Sequence, residues 1–199
     1  MRVIGITGGI GSGKSKVLEF MREAYDAYVL QTDLVAHKLQ EPGEDCYQKI
    51  VQTFGTEILR EDGRIDRKKL GDLVFSDAEK LKILNGIVHP AVKSYVKDEI
   101  ARAKEKGISL FLVESALLKE DHYEEICDEL WYIFAEEGTR MQRLREFRKL
   151  EEGKIKKIMT SQAAEADFRA YCDVTIDNSG EFTRTEEQII QAMKGTNRR

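Results

Sequence analysis

The residues with the clearest chemical meaning lie near the start of the chain, between Gly8 and Ser15. They read Gly-Gly-Ile-Gly-Ser-Gly-Lys-Ser and fill every fixed position of the spacing G-x-x-x-x-G-K-[ST]. A backbone that wraps closely round a phosphate leaves no room for Cβ atoms, so glycine is required there. Consecutive N–H groups and the positive end of a following helix then hold the anion. The run therefore predicts a phosphate-binding loop (P-loop) for a nucleoside triphosphate.

The polar residues of this loop have predicted tasks. Lys14 reaches the β- and γ-phosphates as a point charge, and the Ser15 hydroxyl ligates Mg²⁺. The phosphate-binding residues predicted within the loop are Gly9, Gly11, Ser12, Gly13, Lys14 and Ser15. The alternative is a glycine-rich turn that binds nothing. The context favours the P-loop, because an apolar run precedes it and a helical pattern follows it.

Apolar runs around the loop predict the elements that position it. Arg2–Thr7 has a short strand pattern, and a helical pattern with one apolar face opens at Lys14. Four further strand patterns follow, several of them bounded by turn residues. They cover Tyr28–Leu30, Ser109–Val113, Leu130–Ala135 and Val174–Ile176. Five strands separated by helices predict an α/β fold with a doubly wound, five-stranded parallel sheet flanked by helices.

Two stretches carry more helix than the crossovers of such a sheet need. The first, at about 35–105, reads as helix from residue 45 onward, with breaks at Gly55, at Glu61–Gly63 and at His89–Pro90. The second, at about 138–168, is a candidate lid. Neither stretch has an internal repeat or a flexible linker. Both are therefore predicted as insertions into a single domain that spans residues 1–199.

Arginines are concentrated in the second stretch, where four lie within nine residues. They are Arg140, Arg143, Arg145 and Arg148. One interpretation is a lid that closes over phosphates, and the other is a solvated helix face paired with neighbouring glutamates. Arg143 and Arg148 are about 140° apart on an ideal helix, so these arginines cannot all face one phosphate. Beside a P-loop, at least one phosphate-clamping arginine is expected.

Asp33 is the candidate for proton chemistry on an accepting hydroxyl. It follows the second predicted strand, and ligands of parallel sheets lie beyond the carboxyl ends of the strands. A carboxylate there accepts a proton from an attacking hydroxyl or orients it. Aspartate also caps helices routinely, and the spacing alone leaves both roles open.

Composition limits the remaining classes of protein. The 199 residues include 32 basic and 36 acidic side chains, with a formal net charge of −4. This balance argues against bulk binding of nucleic acid or of a membrane surface. No apolar stretch approaches the ~18 residues that span a bilayer. The cysteines, Cys46, Cys127 and Cys172, form no Cys-x-x-Cys pair, so a reduced, cytoplasmic compartment is expected.

The chemistry then narrows to a small-molecule kinase. A GTPase is expected to carry an N-K-x-D run after a late strand, and the sequence contains none. Motor and AAA-type ATPases need a longer chain. A small-molecule kinase needs a P-loop core, a substrate-holding insert and an arginine-bearing lid, which are the three parts predicted here.

An ordered set of motifs over nearly the whole chain resembles the dephospho-CoA kinase family. It opens with the particular P-loop form Thr-Gly-Gly-Ile-Gly-Ser-Gly at residues 7–13. The other motifs are Asp33, Ala36-His37, Glu41–Gly43, Phe54-Gly55, Asp62–Arg67, Leu70, Val74-Phe75, Leu84-Asn85, Val88–Pro90, Leu117-Leu118, Arg143-Leu144, Arg148, Gln162, Asp173 and Ile176–Gly180. The ordered set is specific to that family, although no single later motif is.

The resemblance implies an enzyme that uses ATP and Mg²⁺ to phosphorylate the 3′-hydroxyl of the ribose of dephospho-CoA, in the last step of coenzyme A synthesis. Its implied catalytic residues are Lys14, Asp33 and Arg143, with Asp33 orienting or deprotonating the hydroxyl. Arg143 and Arg148 belong to the lid, and Asn178 lies near the adenine of ATP. The insert at about 35–105 binds dephospho-CoA, and His89–Pro90 shapes that insert.

Four positions depart from the family's usual pattern. Lys16 stands where Thr is usual, and its backbone N–H still serves the α-phosphate. Gln31 replaces the first carboxylate of an Asp-x-Asp pair. Glu114 and Ala116 replace the Asp and Pro of Asp-x-Pro-Leu-Leu, and Glu114 holds Mg²⁺ through water with a longer side chain. These changes leave the γ-phosphate machinery complete and concern the rate and the acceptor.

Two alternatives remain from the sequence. One is a kinase for a nucleoside monophosphate or another small hydroxyl compound, which shares the core and lid but leaves the ordered insert motifs unexplained. The other is a regulatory protein that binds ATP without phosphoryl transfer, which the changes at Gln31 and Glu114 favour. Retention of Lys14, Ser15 and Asp33 argues against it. The default expectation is a monomer with neither nucleic-acid nor membrane partners.

Overall fold

The computed structural model describes residues 1–195, and the chain divides into two compact units. The first unit combines Met1–Leu30 with the chain from Arg102 onward, and the second is Gln31–Ala101. Among the described residues, no helix is both long and apolar enough to cross a bilayer.

The first unit is built on a five-stranded sheet with the order β2-β3-β1-β4-β5. The strands are β1 (Arg2–Thr7), β2 (Tyr28–Gln31), β3 (Leu110–Glu114), β4 (Glu129–Phe134) and β5 (Val174–Asp177). β1 pairs in parallel with both β3 and β4, and β4 pairs in parallel with β5. All five predicted strands are confirmed, with ends that differ by at most one residue.

Nine α-helices connect or follow these strands within residues 1–195. They are α1 (Lys14–Tyr25), α2 (Thr32–Leu39), α3 (Asp45–Phe54), α4 (Arg67–Phe75), α5 (Ala78–Glu105), α6 (Glu137–Arg148), α7 (Glu152–Thr160), α8 (Glu165–Tyr171) and α9 (Phe182–Lys194). Helices α6, α7 and α8 occupy the stretch that was predicted as a lid.

The core of the first unit explains why its central strands are apolar along their length. Parallel strands covered by helices on both faces bury every side chain, and Ile4 and Ile6 of β1 are fully buried. Helix α1 contributes its buried face through Val17, Leu18 and Met21, which the helical spacing predicts. The strand and the helix on either side of the P-loop are thus both fixed by the core.

The second unit has its own buried core and a small hairpin. Leu59 and Ile65 form an antiparallel bridge, and Asp66 then caps α4 by accepting from the backbone N–H groups of Lys68 and Lys69 at 3.0 and 3.2 Å. The hydrogen bond from Lys69 is the largest influence that lowers the pKa of the Asp66 carboxyl. The predicted breaks at Gly55 and in the turn before the hairpin's second arm are confirmed.

The predicted break at His89–Pro90 is wrong, because α5 is continuous through both residues. A proline inside a helix removes the N–H that would serve the carbonyl four residues earlier, here that of Gly86. Both Pro90 and Gly86 are exposed, so water can satisfy that carbonyl. Burial of Val92 and Val96 on the next turns then holds the helix together.

Candidate active site

The P-loop leaves the carboxyl end of β1, the central strand of the sheet, and leads directly into α1. Strand order reverses at β1, which lies between β3 and β4, and ligands of doubly wound sheets bind at such points. Gly13 has a φ of 86°, in the left-handed region that favours glycine. A Cβ there would also lie 2.3 Å from the side-chain nitrogen of Asn178. Glycine at this position is therefore required twice over.

Lys14 lies across the loop, close to the carboxylate predicted to assist a metal ion. Its Nζ donates to the carbonyl oxygen of Gly8 at 2.7 Å and lies 3.9 Å from Oε1 of Glu114. Glu114 is the last residue of β3, and both side chains are less than a fifth exposed. The structure thus brings together Lys14, Glu114 and the loop, as parallel pairing of β1 with β3 requires.

The carbonyl oxygen of Ser12 is held from two sides. Nδ2 of Asn178 donates to it at 2.7 Å, and Nη1 of Arg143 donates at 3.3 Å. Arg143 also donates through Nη2 to the carbonyl oxygen of Asn178 at 2.8 Å. Arg143 from α6 and Asn178 from the end of β5 therefore form one hydrogen-bonded unit with the P-loop.

Asn178 is buried, and protein atoms occupy its hydrogen-bonding groups. Its backbone N–H donates to the carbonyl oxygen of Phe134 at 2.8 Å, and its Oδ1 accepts from the hydroxyl of Thr185 at 3.0 Å. Thr185, on α9, was not found from the sequence, and no local pattern marks it. Asn178 thus anchors the P-loop, and its predicted contact with adenine stays a prediction.

The apex of the P-loop is contacted by side chains from the lid region. Nε of Arg140 donates to the carbonyl oxygen of Ile10 at 2.9 Å. Oε1 of Gln162, between α7 and α8, accepts from the backbone N–H of Ile10 at 3.0 Å. Of the four arginines in the run, Arg140 and Arg143 thus face the loop, as residues three apart on a helix do. Arg145 and Arg148 are exposed.

Lys16 uses both of its polar groups within the protein. Its ammonium lies 4.0 Å from the centre of the Phe182 ring, a cation–π contact with the first turn of α9. Its backbone N–H donates to the carbonyl oxygen of Gly13 at 3.1 Å, as part of the start of α1. The contact of this N–H with an α-phosphate stays a prediction.

Asp33 lies in the second unit, as the second residue of α2, and its side chain is exposed. The residue before the helix is Gln31, so the interpretation of Asp33 as the N-cap is wrong. An acidic side chain in the first turn of a helix still interacts favourably with the helix dipole. Because Asp33 does not cap the helix, its exposed carboxylate has no capping role that would explain its presence.

Two buried hydroxyls at the loop have no hydrogen-bond partner among the described residues. They are Oγ1 of Thr7, the last residue of β1, and Oγ of Ser12. Unpartnered buried polar groups are rare in proteins and call for an explanation. With the exposed Ser15 hydroxyl and the Glu114 carboxylate nearby, they give the loop a donor set of hydroxyl and carboxylate oxygens. That chemistry suits Mg²⁺ bound together with phosphate oxygens.

A sheet with a lysine-bearing P-loop on its central strand, followed by arginine-bearing helices that contact the loop, defines the P-loop kinase class. A model of the dephospho-CoA kinase family (CoaE) matches residues 2–184. Dephospho-CoA kinase from Shouchella clausii is 36% identical over 193 residues, which cover 97% of this chain and 98% of that protein. The chain therefore belongs to the dephospho-CoA kinase family, which uses ATP. Its activity is that of a dephospho-CoA kinase, the final step of coenzyme A biosynthesis.

Solved structures agree on the fold. A crystal structure from Thermus thermophilus superposes with a TM-score of 0.83 at 30% identity and covers 97% of this chain and 96% of its own. Dephospho-CoA kinase from Campylobacter jejuni gives a TM-score of 0.71 at 21% identity, with 98% and 96% covered. The predicted α/β architecture with a five-stranded parallel sheet is confirmed.

Proposed function

We propose that this chain transfers the γ-phosphate of MgATP to the 3′-hydroxyl of the ribose of dephospho-CoA, giving coenzyme A and ADP. The observation that carries the proposal is the P-loop itself, whose Gly8, Ile10 and Ser12 carbonyls are each bonded to a cationic side chain. Carbonyls held in this way direct the N–H groups of the loop inward, where phosphate oxygens need donors.

Nucleotide binding in this proposal falls to residues of the loop. The backbone N–H groups of Gly9, Gly11, Gly13 and Lys14 serve the phosphates, and the start of α1 adds its positive end. The Ser12 N–H, which donates to the Gly9 carbonyl oxygen at 3.1 Å, serves them by exchanging that bond. The Ser15 hydroxyl ligates Mg²⁺, and Glu114 holds the ion through water. When bound there, Mg²⁺ would neutralise negative charge on the phosphates during transfer.

Lys14 and Arg143 supply the positive charge for transfer. Lys14 exchanges its bond to the Gly8 carbonyl for the γ-phosphate, as a flexible ammonium can do without moving the backbone. Arg143 holds the Ser12 carbonyl and places its guanidinium at the same loop. Arg148, at the exposed end of α6, is proposed as the outer arginine of the lid.

Acceptor chemistry falls to the second unit, which we propose binds dephospho-CoA. Asp33 takes the proton from the 3′-hydroxyl or orients it, a task that suits an exposed carboxylate with no capping duty. The proposal also keeps a cytoplasmic location, which the lack of a Cys-x-x-Cys pair in the sequence favours, and a monomer as the default oligomeric state.

The test is ADP release from MgATP with and without dephospho-CoA, with the position of the new phosphate read by mass spectrometry. Stimulated release and a 3′-phosphorylated product are expected. Asp33→Asn should lower kcat by about 10²-fold or more while the Kd for ATP stays within twofold, because general-base catalysis is worth about 10²–10⁴-fold. Asp45→Asn is the matched control, since Asp45 is also an exposed acid in the first turn of a helix, α3.

Other outcomes would redirect the proposal. Stimulation by a nucleoside monophosphate in place of dephospho-CoA would identify a different acceptor. ATP binding without transfer to any acceptor would identify a regulatory protein. An equal loss of kcat and of ATP affinity in Asp33→Asn would make Asp33 a structural residue.

A further inference from the structure

Two side chains that belong to the lid region hold the apex of the P-loop together. Arg140 donates to the Ile10 carbonyl, and Gln162 accepts from the Ile10 N–H. Nη2 of Arg140 also donates to the same Gln162 oxygen at 2.8 Å. Both peptide planes that flank Ile10 are thereby fixed by one connected pair of side chains. We call this pair the Arg140–Gln162 bridge.

The glycines on either side of Ile10 are shaped to this bridge. A Cβ on Gly9 would lie 2.4 Å from Nη2 of Arg140, and one on Gly11 would lie 2.9 Å from the backbone oxygen of Arg140. Both distances are too short for real contacts. Helix α6 therefore packs on the loop so closely that the Arg140 backbone requires glycine at position 11, whereas a Cβ at position 9 would displace the Arg140 guanidinium.

The charge of Arg140 is directed towards the loop by its hydrogen bonds. Among residues 1–195, it forms no salt bridge, and its guanidinium donates to neutral oxygens, while the Glu137 and Glu165 carboxylates act on it only through longer-range electrostatics. Burial lowers the pKa of Arg140, yet an arginine remains protonated in proteins. A partly buried cation next to a P-loop, with no carboxylate in direct contact, is stabilised when an anion binds there.

We propose that Arg140 and Gln162 are positioning residues of the phosphoryl transfer: together they fix the apex of the P-loop in its phosphate-binding geometry and join the α7–α8 segment to it. The inference rests on the proposed function, since the phosphates bound there are those of ATP. Preorganised donors need no rearrangement when charge develops, so a loose apex costs both affinity and rate. The position of the α7–α8 segment and the ordering of the P-loop are then coupled.

The decisive variants alter Gln162 alone. Gln162→Leu has a similar size but no acceptor, so Ile10 N–H and one donor of Arg140 lose their partner. We expect ATP to bind about tenfold more weakly, which corresponds to about 1.4 kcal/mol, and kcat to fall as well. Gln162→Glu keeps the acceptor, so the Ile10 N–H and Arg140 keep their partner, but its added charge pairs with Arg140 and should weaken ATP binding without loosening the loop. Gln142→Leu is the matched control, because exposed Gln142 on α6 donates only to Glu146.

Hydrogen exchange of the Ile10 amide is the direct readout. Exchange should accelerate in Gln162→Leu and remain slow in Gln162→Glu and Gln142→Leu, whereas a merely structural role would leave this amide unchanged. In a double-mutant cycle, Arg140→Met with Gln162→Leu should weaken ATP binding no more than the worse single variant. Additive losses, or parental affinity and amide protection in Gln162→Leu, would overturn the bridge.

Measuring ATP binding without an acceptor separates this inference from the proposed function. If dephospho-CoA is not phosphorylated but the cycle shows coupling, the proposed acceptor is wrong and the bridge stands. If dephospho-CoA is phosphorylated but the cycle is additive, the bridge is wrong and the function stands.

Discussion

The two ends of the sheet in the first unit use charge in opposite ways. At the amino end, Glu129 is almost completely buried and fully paired. Its carboxylate accepts from Nη2 of Arg2 at 2.7 and 2.8 Å and from the Trp131 indole at 2.9 Å. Asp128 and Asp173 accept from the backbone N–H groups of Val3 and Leu130 at 2.7 and 2.8 Å. Each of these acids lies at the first residue of a strand or directly before it.

At the carboxyl end, cations contact neutral carbonyls instead. Lys14, Arg140 and Arg143 donate to the Gly8, Ile10 and Ser12 carbonyls, and buried hydroxyls nearby have no partner among the described residues. Carboxylates act on these cations only from farther away: Glu114 lies 3.9 Å from Lys14, and Glu137 and Glu165 influence Arg140 without a salt bridge among the described residues. Paired charges at the amino end of the sheet therefore serve stability, whereas cations bonded to neutral carbonyls mark the carboxyl end as the one that receives an anion.

The largest expected effect comes from removing charge at the carboxyl end. Lys14→Met should lower kcat by about 10³-fold, because it removes a preorganised donor at the γ-phosphate. The midpoint of thermal unfolding should change little, since the ion pair of Lys14 with Glu114 is a loose one, at 3.9 Å between Nζ and Oε1. Steady-state kinetics and calorimetry test both parts, with Lys104→Met on exposed α5 surface as the control. A large loss of stability in Lys14→Met would contradict the proposed difference between the two ends of the sheet.

A second, smaller effect is expected from removing the buried carboxylate at the amino end of the sheet. Glu129→Ala leaves the Trp131 indole without its partner and Arg2 without its carboxylate, with only neutral acceptors of α9 remaining, so the free energy of unfolding should fall by about 3 kcal/mol. The kcat/KM of the folded variant should stay within twofold, because this end takes no part in transfer. Denaturant unfolding and kinetics well below the melting temperature measure the two quantities. A large fall in kcat/KM with unchanged stability would contradict the assignment of stability to the amino end and of phosphoryl transfer to the carboxyl end.

A smaller effect is expected where the loop is anchored. Asn178→Asp preserves shape but places a carboxylate against the Ser12 carbonyl, which Nδ2 now contacts at 2.7 Å. ATP should bind about tenfold more weakly, since one buried bond becomes a repulsion worth about 1.4 kcal/mol or more. Asp177→Asn, in the neighbouring exposed position, should bind ATP normally. Calorimetric titration with ATP distinguishes the two variants.

The smallest effect concerns a thiol near the amino end. Burial raises the pKa of Cys127 to about 12, so the folded protein keeps this thiol protonated. Stability linked to it is therefore constant below about pH 9 and is lost as the pH rises towards about 12. At pH 8, iodoacetamide should modify half-buried Cys172 and leave Cys127 untouched, as peptide mass spectrometry would show. Rapid labelling of Cys127 would mean that the amino end opens.

The sequence predicts the parts of this site that depend on short-range patterns. The P-loop and the strands are local, so spacing predicts Lys14 and Ser15 at the start of α1, where they lie, and the parallel pairing brings Glu114 close. The contacts of Arg143 and Gln162 with the P-loop join residues more than a hundred positions apart, and the helical pattern cannot specify them. The Pro90 break was wrong because the rule is local, whereas packing of α5 is not.

The order of the strands also has a consequence for synthesis on the ribosome. β1 emerges first, yet Arg2 pairs with Leu110 and Ile4 pairs with Glu129, both far downstream. The second unit lies between these partners in the chain and has an internal core. Folding during synthesis therefore favours formation of the second unit, residues 31–101, before β1 pairs with β3 and β4. The P-loop acquires its final shape only after the residues that hold it from 140 to 178 have been made, so nucleotide binding follows their emergence from the ribosome.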